Sequence, residues 1–379
     1  MTNAHDAPST LPSQDPSSRR LLSVDALRGF DMFWIVGAHD IVKALQSLGD
    51  NSVLNFLATQ LKHKDWEGFA FEDLIFPLFV FIVGISLVFS LGKLIEKEGQ
   101  WAAHKRLFRR FALMYLLGLF YYGGLSNHWP DIRLVGVLPR LALCYLFAGL
   151  LFCHLRTRGM VIACIALLLA YWAWLTFIPV PDVGATTFAM GENWACYVDK
   201  ILLPGKSIYG DGTWDPEGLL STLPAVASCL LGVFAGQFLS SPVGNRRKVL
   251  YLLAVGVAGV ALGFLWGLQF PVIKKIWTSS YVLVAGGYSC ILLAVFYQIV
   301  DIWKCRRWAL PFFWIGSNAL TIYLAVNILD FEDIARRFAG GDLHGALGSF
   351  GDLALATVTL GLVLLLARFL YNRKIFLRV

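Results

Sequence analysis

The sequence predicts an all-α protein, a polytopic bundle of about ten or eleven membrane-spanning helices, on three observations. The 379 residues are 57% hydrophobic and 15% charged, with a mean hydropathy of +0.64, a balance that excludes an ordinary soluble domain. The apolar residues are gathered in runs of about 20, the length that crosses a hydrocarbon core of roughly 30 Å. Basic residues are concentrated in alternate loops, as the positive-inside rule describes.

Ten apolar runs are long enough to span a membrane, and the run at residues 107–122 is the shortest of them. They are residues 27–48, 74–94, 107–122, 134–155, 160–178, 219–239, 249–268, 282–300, 310–329 and 353–370. The polar, Pro- and Ser-rich residues 1–20 predict a disordered cytoplasmic tail. Residues 21–379 predict a single transmembrane domain.

An even number of spans places both termini on one side of the membrane. Loops on that side hold the clusters of Lys and Arg at residues 97–110, 156–158, 246–248, 304–307 and 373–378. The positive-inside rule therefore predicts cytoplasmic termini, and the loop around His63 faces the other side. The formal charge of +7 follows from this bias, so no nucleic-acid partner is predicted.

The seven cysteines predict neither a disulfide framework nor a metal site. Four of them, Cys144, Cys164, Cys229 and Cys290, fall inside apolar runs. No cysteine and histidine spacing in the chain is typical of zinc.

Polar side chains are concentrated at residues 63–73, HKDWEGFAFED, directly before an apolar run. This spacing places His63 and Asp73 at the mouth of a membrane helix. A titratable histidine beside carboxylates is suited to general-base or acyl-transfer chemistry. The alternative is that these residues, with Trp66, only anchor the helix at the membrane interface.

The first apolar run contains ionisable residues that are uncommon in lipid. Arg28 is three residues from both Asp25 and Asp31, so local pairing of the three is predicted. His39 lies eleven residues beyond Arg28, about three helical turns, and is predicted to share its face and to approach His63. The alternative to simple pairing is that this face lines a pathway.

Further candidates follow along the chain. Arg140 lies about one turn inside the fourth span, where it either pairs with a partner or extends outward to the interface. The long polar segment after the fifth span combines carboxylates with aromatic rings, and these either cap the next helix or bind a sugar. Lys274 and Trp277 predict interfacial anchoring. Gly316, Ser317 and Asn318 predict close helix packing and interhelical hydrogen bonds.

Several stretches, taken in order, resemble one enzyme family. They are RLLSVDALRGFDMF, HKDWEGFAFEDLIFPLFVFIVGISL, RLVGVLPRLALCY, YVDKILLP, WDPEGLLSTLPA, FPVIKKIWTSSYVL and FFWIGSNALTIYL. The set resembles the family of heparan-α-glucosaminide N-acetyltransferase, a multi-spanning enzyme that acetylates terminal glucosamine across a membrane, and its bacterial relatives. The opening SVDxxRG motif is weakly specific by itself, whereas the ordered set covers most of the chain.

The resemblance implies acetyl-CoA on the cytoplasmic side, an amino sugar on the other side, a transmembrane acyltransferase domain, a homodimer and, through the bacterial relatives, a location in a bacterial inner membrane. It also implies that His63, before the DLxFPxFxFxxG helix, is catalytic. We expect His39 and Asp73 to assist it. The residues expected to bind the substrate are Trp66, Arg140, Asp199, Asp215, Glu217 and Asn318. The residues expected to bind the CoA phosphates are Arg28, Arg106 and Arg110.

The chain differs from the lysosomal pattern in lacking a large lumenal N-terminal domain and an extra helix before SVDxxRG, and in having His39 where an Asn is expected. These differences leave the acceptor open. His63 either takes up the acetyl group or acts as a general base. The rival predictions are a sugar or solute transporter, an acyltransferase for another envelope glycan, and an assembly protein without catalytic activity.

Overall fold

The computed structural model describes residues 21–49, 51–126, 128, 131–203 and 214–376. Every regular element among these residues is helical, which confirms the all-α class. In chain order the α-helices are α1 (Leu22–Phe33), α2 (His39–Ser47), α3 (Ser52–Gln60), α4 (Phe71–Tyr121), α5 (Val137–His154), α6 (Thr157–Phe177), α7 (Trp194–Leu202), α8 (Thr222–Ser240), α9 (Asn245–Gly267), α10 (Ser279–Phe296), α11 (Leu310–Gly316), α12 (Ala319–Ile328), α13 (Phe331–Ala339), α14 (Gly341–Leu347) and α15 (Gly351–Asn372).

Seven helices in the described part of the chain are long and apolar enough to cross a membrane. The number is up to eight if the bent pair Arg307–Gly316 and Ala319–Ile328 forms one span. The chain is therefore an integral membrane protein, but this count does not confirm the predicted ten or eleven spans.

Helix α4 accounts for part of the difference, because the predicted spans at residues 74–94 and 107–122 both lie within its 51 residues. Gly99 interrupts its helical geometry with φ of 83° and ψ of 178°. Phe79 and Met114 line one cavity, although a straight helix would separate residues 35 positions apart by about 50 Å. Helix α4 therefore folds back on itself at Gly99.

Two other predicted spans are broken. The span at residues 27–48 is divided into α1, a π-helical segment (Trp34–Ala38) and α2, with Gly37 at φ of 128°. The span at residues 310–329 bends by 69° between α11 and α12. Glycine permits the first break because it has no Cβ to clash at positive φ. Each break interrupts the 3.6-residue periodicity, so faces assigned from sequence spacing do not continue across it.

Close backbone contacts hold the central helices together. A Cβ on Gly84 would lie 2.0 Å from Cys229 O, and one on Gly232 would lie 1.9 Å from Phe81 O, so α4 and α8 touch directly. A Cβ on Gly316 would lie 2.1 Å from Asp25 O, which confirms the predicted close packing at this glycine. Such contacts favour van der Waals packing between membrane helices. We call the end of the bundle where α4 begins the His63 end, and the end near Gly99 the opposite end.

Candidate active site

His63 and Asp73 form the first contact of the site. His63 lies in the loop before α4 and Asp73 in the first turn of that helix. His63 Nδ1 is 3.1 Å from Asp73 Oδ1, with side-chain exposures of 54% and 1%, respectively. A carboxylate only accepts hydrogen bonds, so the tautomer in which His63 donates to Asp73 carries its proton on Nδ1. In that tautomer Nε2 keeps a lone pair that can act as a base or a nucleophile.

Asp73 is held by backbone groups as well. Its Oδ2 accepts hydrogen bonds from Lys64 N at 3.3 Å and Ala70 N at 3.1 Å. Tyr281 Oη donates to Asp73 O at 2.7 Å. The two backbone donors hold the carboxylate beside the imidazole, and the Tyr281 bond holds the backbone of Asp73. A partner fixed in this way commonly selects the histidine tautomer.

Lys274 joins this pair from a loop more than 200 residues away in sequence. Its Nζ lies 3.1 Å from His63 Nδ1 and 3.5 Å from Asp73 Oδ1. Gly68 N donates to Val272 O at 2.9 Å, which ties the two loops together. Burial lowers the pKa of Lys274, while the charge of Asp73 opposes that shift.

The prediction that Lys274 and Trp277 are interfacial anchors is wrong. Lys274 is in contact with His63, and Trp277 is 1% exposed with its ring 5.2 Å from that of Phe76. The tight loop that brings Lys274 to His63 is a tertiary contact without a local sequence signal. Sequence reasoning therefore missed Lys274 as a site residue.

Arg133 is a second residue that sequence reasoning missed. Its Nε donates to Asp215 Oδ2 at 2.8 Å, and its Nη2 donates to Asp215 Oδ1 at 2.7 Å and to Glu217 Oε2 at 2.8 Å. The guanidinium also lies 4.3 Å from the centre of the Tyr122 ring. Of the predicted sugar-binding carboxylates, Asp215 is thus held in a buried, bidentate ion pair, and Glu217 accepts one hydrogen bond from the same guanidinium.

Asp199 supports the same segment from α7. Its Oδ1 accepts from Leu219 N at 2.9 Å and its Oδ2 from Asp215 N at 3.4 Å. Burial raises the pKa of Asp199 to about 6. Burial and the charge of Asp215 raise the pKa of Glu217 to about 7. Both carboxyls therefore titrate close to neutral pH, a property that is enriched at functional sites.

Arg140 does not extend outward to the interface, since it is only 1% exposed. Its Nη2 donates to Gly218 O at 2.9 Å and to Ser221 Oγ. Its guanidinium lies 5.0 Å from the centre of the Trp277 ring. The Nε and Nη1 atoms are buried without a hydrogen-bond partner among the described residues. Arg140 therefore retains donors beside the His63 end.

A cavity of about 320 Å³ lies beside this cluster, between the two halves of α4 and helices α1, α5, α11 and α12. Phe76, one turn from Asp73, lines it, and so does Ser90, about 21 Å further along a helical axis. Arg28, Arg110 and Asn318 also line it. The volume is in the range of small-molecule pockets.

The polar residues of this cavity are partly unsatisfied. The two polar side-chain atoms of Asn318 and Nε of Arg110 are buried without hydrogen-bond partners in the described part of the chain. The guanidinium of Arg110 lies 4.9 Å from the centre of the Tyr145 ring. Arg28 Nη2 donates to Ser86 Oγ at 2.6 Å. Buried polar groups of this kind are expected to find a partner, and a bound ligand would supply it.

Three predicted residues lie apart from these contacts. His39 Nδ1 bonds Trp34 O at 3.1 Å, and its Nε2 contacts Asp40 Oδ1 at 3.1 Å. Neither contact involves His63. Gly37 breaks the helix between Arg28 and His39, so the predicted shared face is lost. Trp66 Nε1 donates to Phe188 O at 2.8 Å. Arg106 is absent from the residues that line the cavity.

The predicted pairing of Arg28 with two aspartates is half correct. Arg28 Nη1 lies 3.4 Å from Asp25 Oδ1. Neither carboxylate oxygen of Asp31 has a hydrogen-bond partner within the described ranges, and the residue is fully buried.

Comparison with known proteins identifies relatives. Residues 20–263 match the family model described as heparan-alpha-glucosaminide N-acetyltransferase, catalytic. The human protein named heparan-alpha-glucosaminide N-acetyltransferase is 26% identical over 95% of this chain. The mouse protein of the same name is 25% identical over 96% of it. The chain spans 60% of the length of the human relative and 61% of that of the mouse relative.

Proposed function

Since the chain belongs to the catalytic family of heparan-alpha-glucosaminide N-acetyltransferase, we propose that it transfers an acetyl group from acetyl-CoA to the amino group of a sugar across the membrane. The membrane-embedded acyltransferase domain covers residues 21–379. The observation that carries the proposal is the contact of His63 with Asp73 and Lys274, one helical turn from the cavity between the halves of α4.

His63 Nε2 is the reacting atom in this proposal. Asp73 holds the proton on Nδ1, so Nε2 either attacks the thioester carbonyl or removes a proton from the acceptor nitrogen. Arg140, with its unpartnered donors, stabilises the oxyanion that forms as the carbonyl is attacked. Both routes need the imidazole in its neutral form.

The cavity is the proposed site of the acetyl-CoA arm. Asn318 and Arg110 supply buried polar atoms that a bound amide or phosphate would satisfy. Arg28 and Arg106 add positive charge on that side, as expected for phosphate recognition. The arm enters from the opposite end, where basic loops are concentrated, and its thioester reaches the His63 end.

The acceptor is proposed to bind at the His63 end. In this proposal Asp199, whose pKa is about 6, attracts the ammonium form of an amino sugar at neutral pH, while Asp215 and Glu217, held by Arg133, offer oxygens that accept hydrogen bonds from it. The half-buried ring of Trp66 offers an apolar face for a sugar ring, and the buried ring of Trp214 packs perpendicular to it at 5.8 Å. His39 is a candidate for a supporting role further out.

The topology in this proposal follows the distribution of basic residues. The opposite end faces the cytoplasm, both termini are cytoplasmic, and the His63 end lies outside a bacterial inner membrane. Homodimer formation is part of the proposal because the family resemblance suggests it.

The decisive experiment measures transfer of labelled acetyl from acetyl-CoA to glucosamine by purified protein in liposomes. Wild type should turn over, and His63→Ala should reduce turnover by at least about 10²-fold. The matched control is His104→Ala, a half-buried histidine whose Nε2 contacts His154 Nε2 at 2.9 Å at the opposite end from His63; it should retain wild-type turnover. Folded wild type that neither binds acetyl-CoA nor transfers acetyl would contradict the proposal and favour a transporter.

A further inference from the structure

Asp31 on α1 is a buried carboxyl group that the proposed mechanism does not use. The residue is 0% exposed, and neither oxygen is hydrogen-bonded within the described ranges. An ionised carboxylate without partners is strongly disfavoured in such a place. Intramembrane carboxyl groups of this kind commonly carry protons. The neutral acid is therefore the form of Asp31 that this environment favours.

Glu72 is the carboxyl group that the packing of α4 on α1 brings toward Asp31. Its Oε2 is buried without a partner among the described residues. Ring contacts confirm the register, since the Phe71 ring lies 6.3 Å from that of Phe30 and 5.3 Å from that of Trp34. The first turn of α4 thus packs on the turn of α1 that contains Asp31.

These two carboxyl groups lie between the His63 cluster and the cavity. On one side, Glu72 precedes Asp73, and Lys274 Nζ donates to Glu72 O at 3.5 Å while contacting His63. On the other side, Arg28 and Met32 line the cavity. Arg28 lies three residues before Asp31 on α1 and shares a face of that helix with it, and Met32 follows Asp31 directly.

We propose that Asp31 and Glu72 form a proton-transfer pair that connects the His63 cluster to the cavity, an inference that rests on the proposed function. In the overall transfer a C–N bond forms and the C–S bond breaks. The acceptor nitrogen loses one proton, and the departing sulfur takes the electron pair of the broken bond. Asp31 gives its proton to that sulfur, and Glu72 returns to Asp31 the proton that His63 removed from nitrogen. The products are the acetamide and the free thiol.

Other charged groups near α1 do not offer this route. Asp25 and Arg28 on α1 contact each other. Asp73, on α4, is held by His63 and backbone donors. Asp301, beyond α10, accepts from Ser23 N at 3.1 Å near the start of α1. Helices α11 and α12, which also pack on α1, contain no charged residues. Glu72 is therefore the charged neighbour through which Asp31 exchanges its proton with the His63 cluster.

The first test compares Asp31→Asn, Asp31→Glu and the control Asp301→Asn in acetyl transfer to glucosamine. Asp31→Asn keeps the shape of the side chain but cannot carry the proton, so kcat should fall by about 100-fold, with acetyl-CoA binding unchanged. Asp31→Glu should restore most of the loss, and Asp301→Asn should behave as wild type. Wild-type kcat and an unchanged pH profile in Asp31→Asn would overturn the proposal.

The second test does not depend on turnover. Infrared spectra of the resting protein in H2O and D2O should contain a carboxylic-acid C=O band that is absent from Asp31→Asn and retained in Asp301→Asn. Lack of a band that depends on Asp31 would overturn the proton pair even if acetyl transfer is intact. Absence of transfer in wild type would instead refute the proposed function and leave the protonation of Asp31 to be judged from the spectra alone.

Discussion

At the scale of single residues, the site is built around one exposed and one buried partner. The imidazole of His63 is half-exposed, whereas the carboxylate of Asp73 is buried. The imidazole is therefore open to substrate, while the carboxylate that holds it is shielded from water. Lys274 adds a nearby amine whose pKa is lowered by burial, and this places a proton-exchanging group beside both.

Replacing Lys274 by Met tests its influence on His63. A positive charge beside the imidazole makes the imidazolium less favourable, so loss of Lys274 should favour the imidazolium, which neither proposed route can use. The acidic limb of the rate profile should therefore move to higher pH, and kcat at neutral pH should fall by about 10-fold or more.

The measurement is the acetyl-transfer rate from pH 5 to pH 9. Lys275→Met is the matched control and should keep the wild-type profile. A Lys274→Met profile that coincides with that of wild type would show that the lysine does not act on His63.

Glu217 makes stability depend on pH. Its pKa is raised to about 7, from about 4.3 in an unfolded chain, so the folded state holds a proton that the unfolded state releases. This contribution to stability is fully present below the unfolded pKa and is lost as the pH rises through about 7. The melting temperature of wild type should fall between pH 5 and pH 8.

Glu217→Gln should reduce that decline. The fall in unfolding free energy between pH 5 and pH 8 should be smaller than in wild type by on the order of 2 kcal/mol. Thermal unfolding followed by tryptophan fluorescence measures it in detergent. Glu192→Gln, an exposed carboxylate in the loop before α7, is the control and should keep the wild-type slope. An unchanged slope in Glu217→Gln would contradict the assignment.

At the scale of elements, α4 determines where the site residues lie. Its first turn holds Asp73, its two halves form a wall of the cavity, and its close contact with α8 at Gly84 leaves no room for a side chain. The packing of α4 on α8 therefore fixes the position of the first half of α4, which lines the cavity.

Gly84→Ala tests that packing. The new Cβ would lie 2.0 Å from Cys229 O, so the helices must separate, at a cost of about 1–3 kcal/mol. Gly92→Ala is the matched control on the same helix because nothing lies within 4 Å of its Cβ, and helix propensity favours alanine there. Gly84→Ala should melt at a lower temperature than wild type, and Gly92→Ala should not. Equal melting temperatures would contradict the tight contact.

At the scale of the whole molecule, the proposed chemistry requires two sides. All seven cysteines lie in the described part of the chain, and Cys305 alone among them is exposed. It follows α10, which begins beside Lys274, so it lies at the opposite end from His63.

A membrane-impermeant maleimide should therefore label Cys305 only from the cytoplasmic side of vesicles. In a Cys305→Ser background, Lys62→Cys, next to His63, should be labelled only from the other side. Labelling of both positions from one side would contradict the proposed topology.

Much of this protein was determined by sequence alone. Hydrophobic runs of membrane length require helices, because an unpaired backbone in lipid is too unfavourable. The segment at residues 63–73 indicated His63 and Asp73 because the two residues are close in sequence. The ordered motifs indicated the family, which the match over residues 20–263 confirms. These features depend on composition or on residues near each other in the chain.

Tertiary structure alone decided the rest. The fold-back at Gly99, the break at Gly37, and the contacts of Lys274 with His63 and of Arg133 with Asp215 join residues that are far apart in sequence or depend on a single backbone angle. Sequence periodicity carries no information about such contacts, because it describes one continuous helix at a time. The histidine and carboxylate of the site are therefore close in sequence, whereas the cations that surround them come from distant parts of the chain.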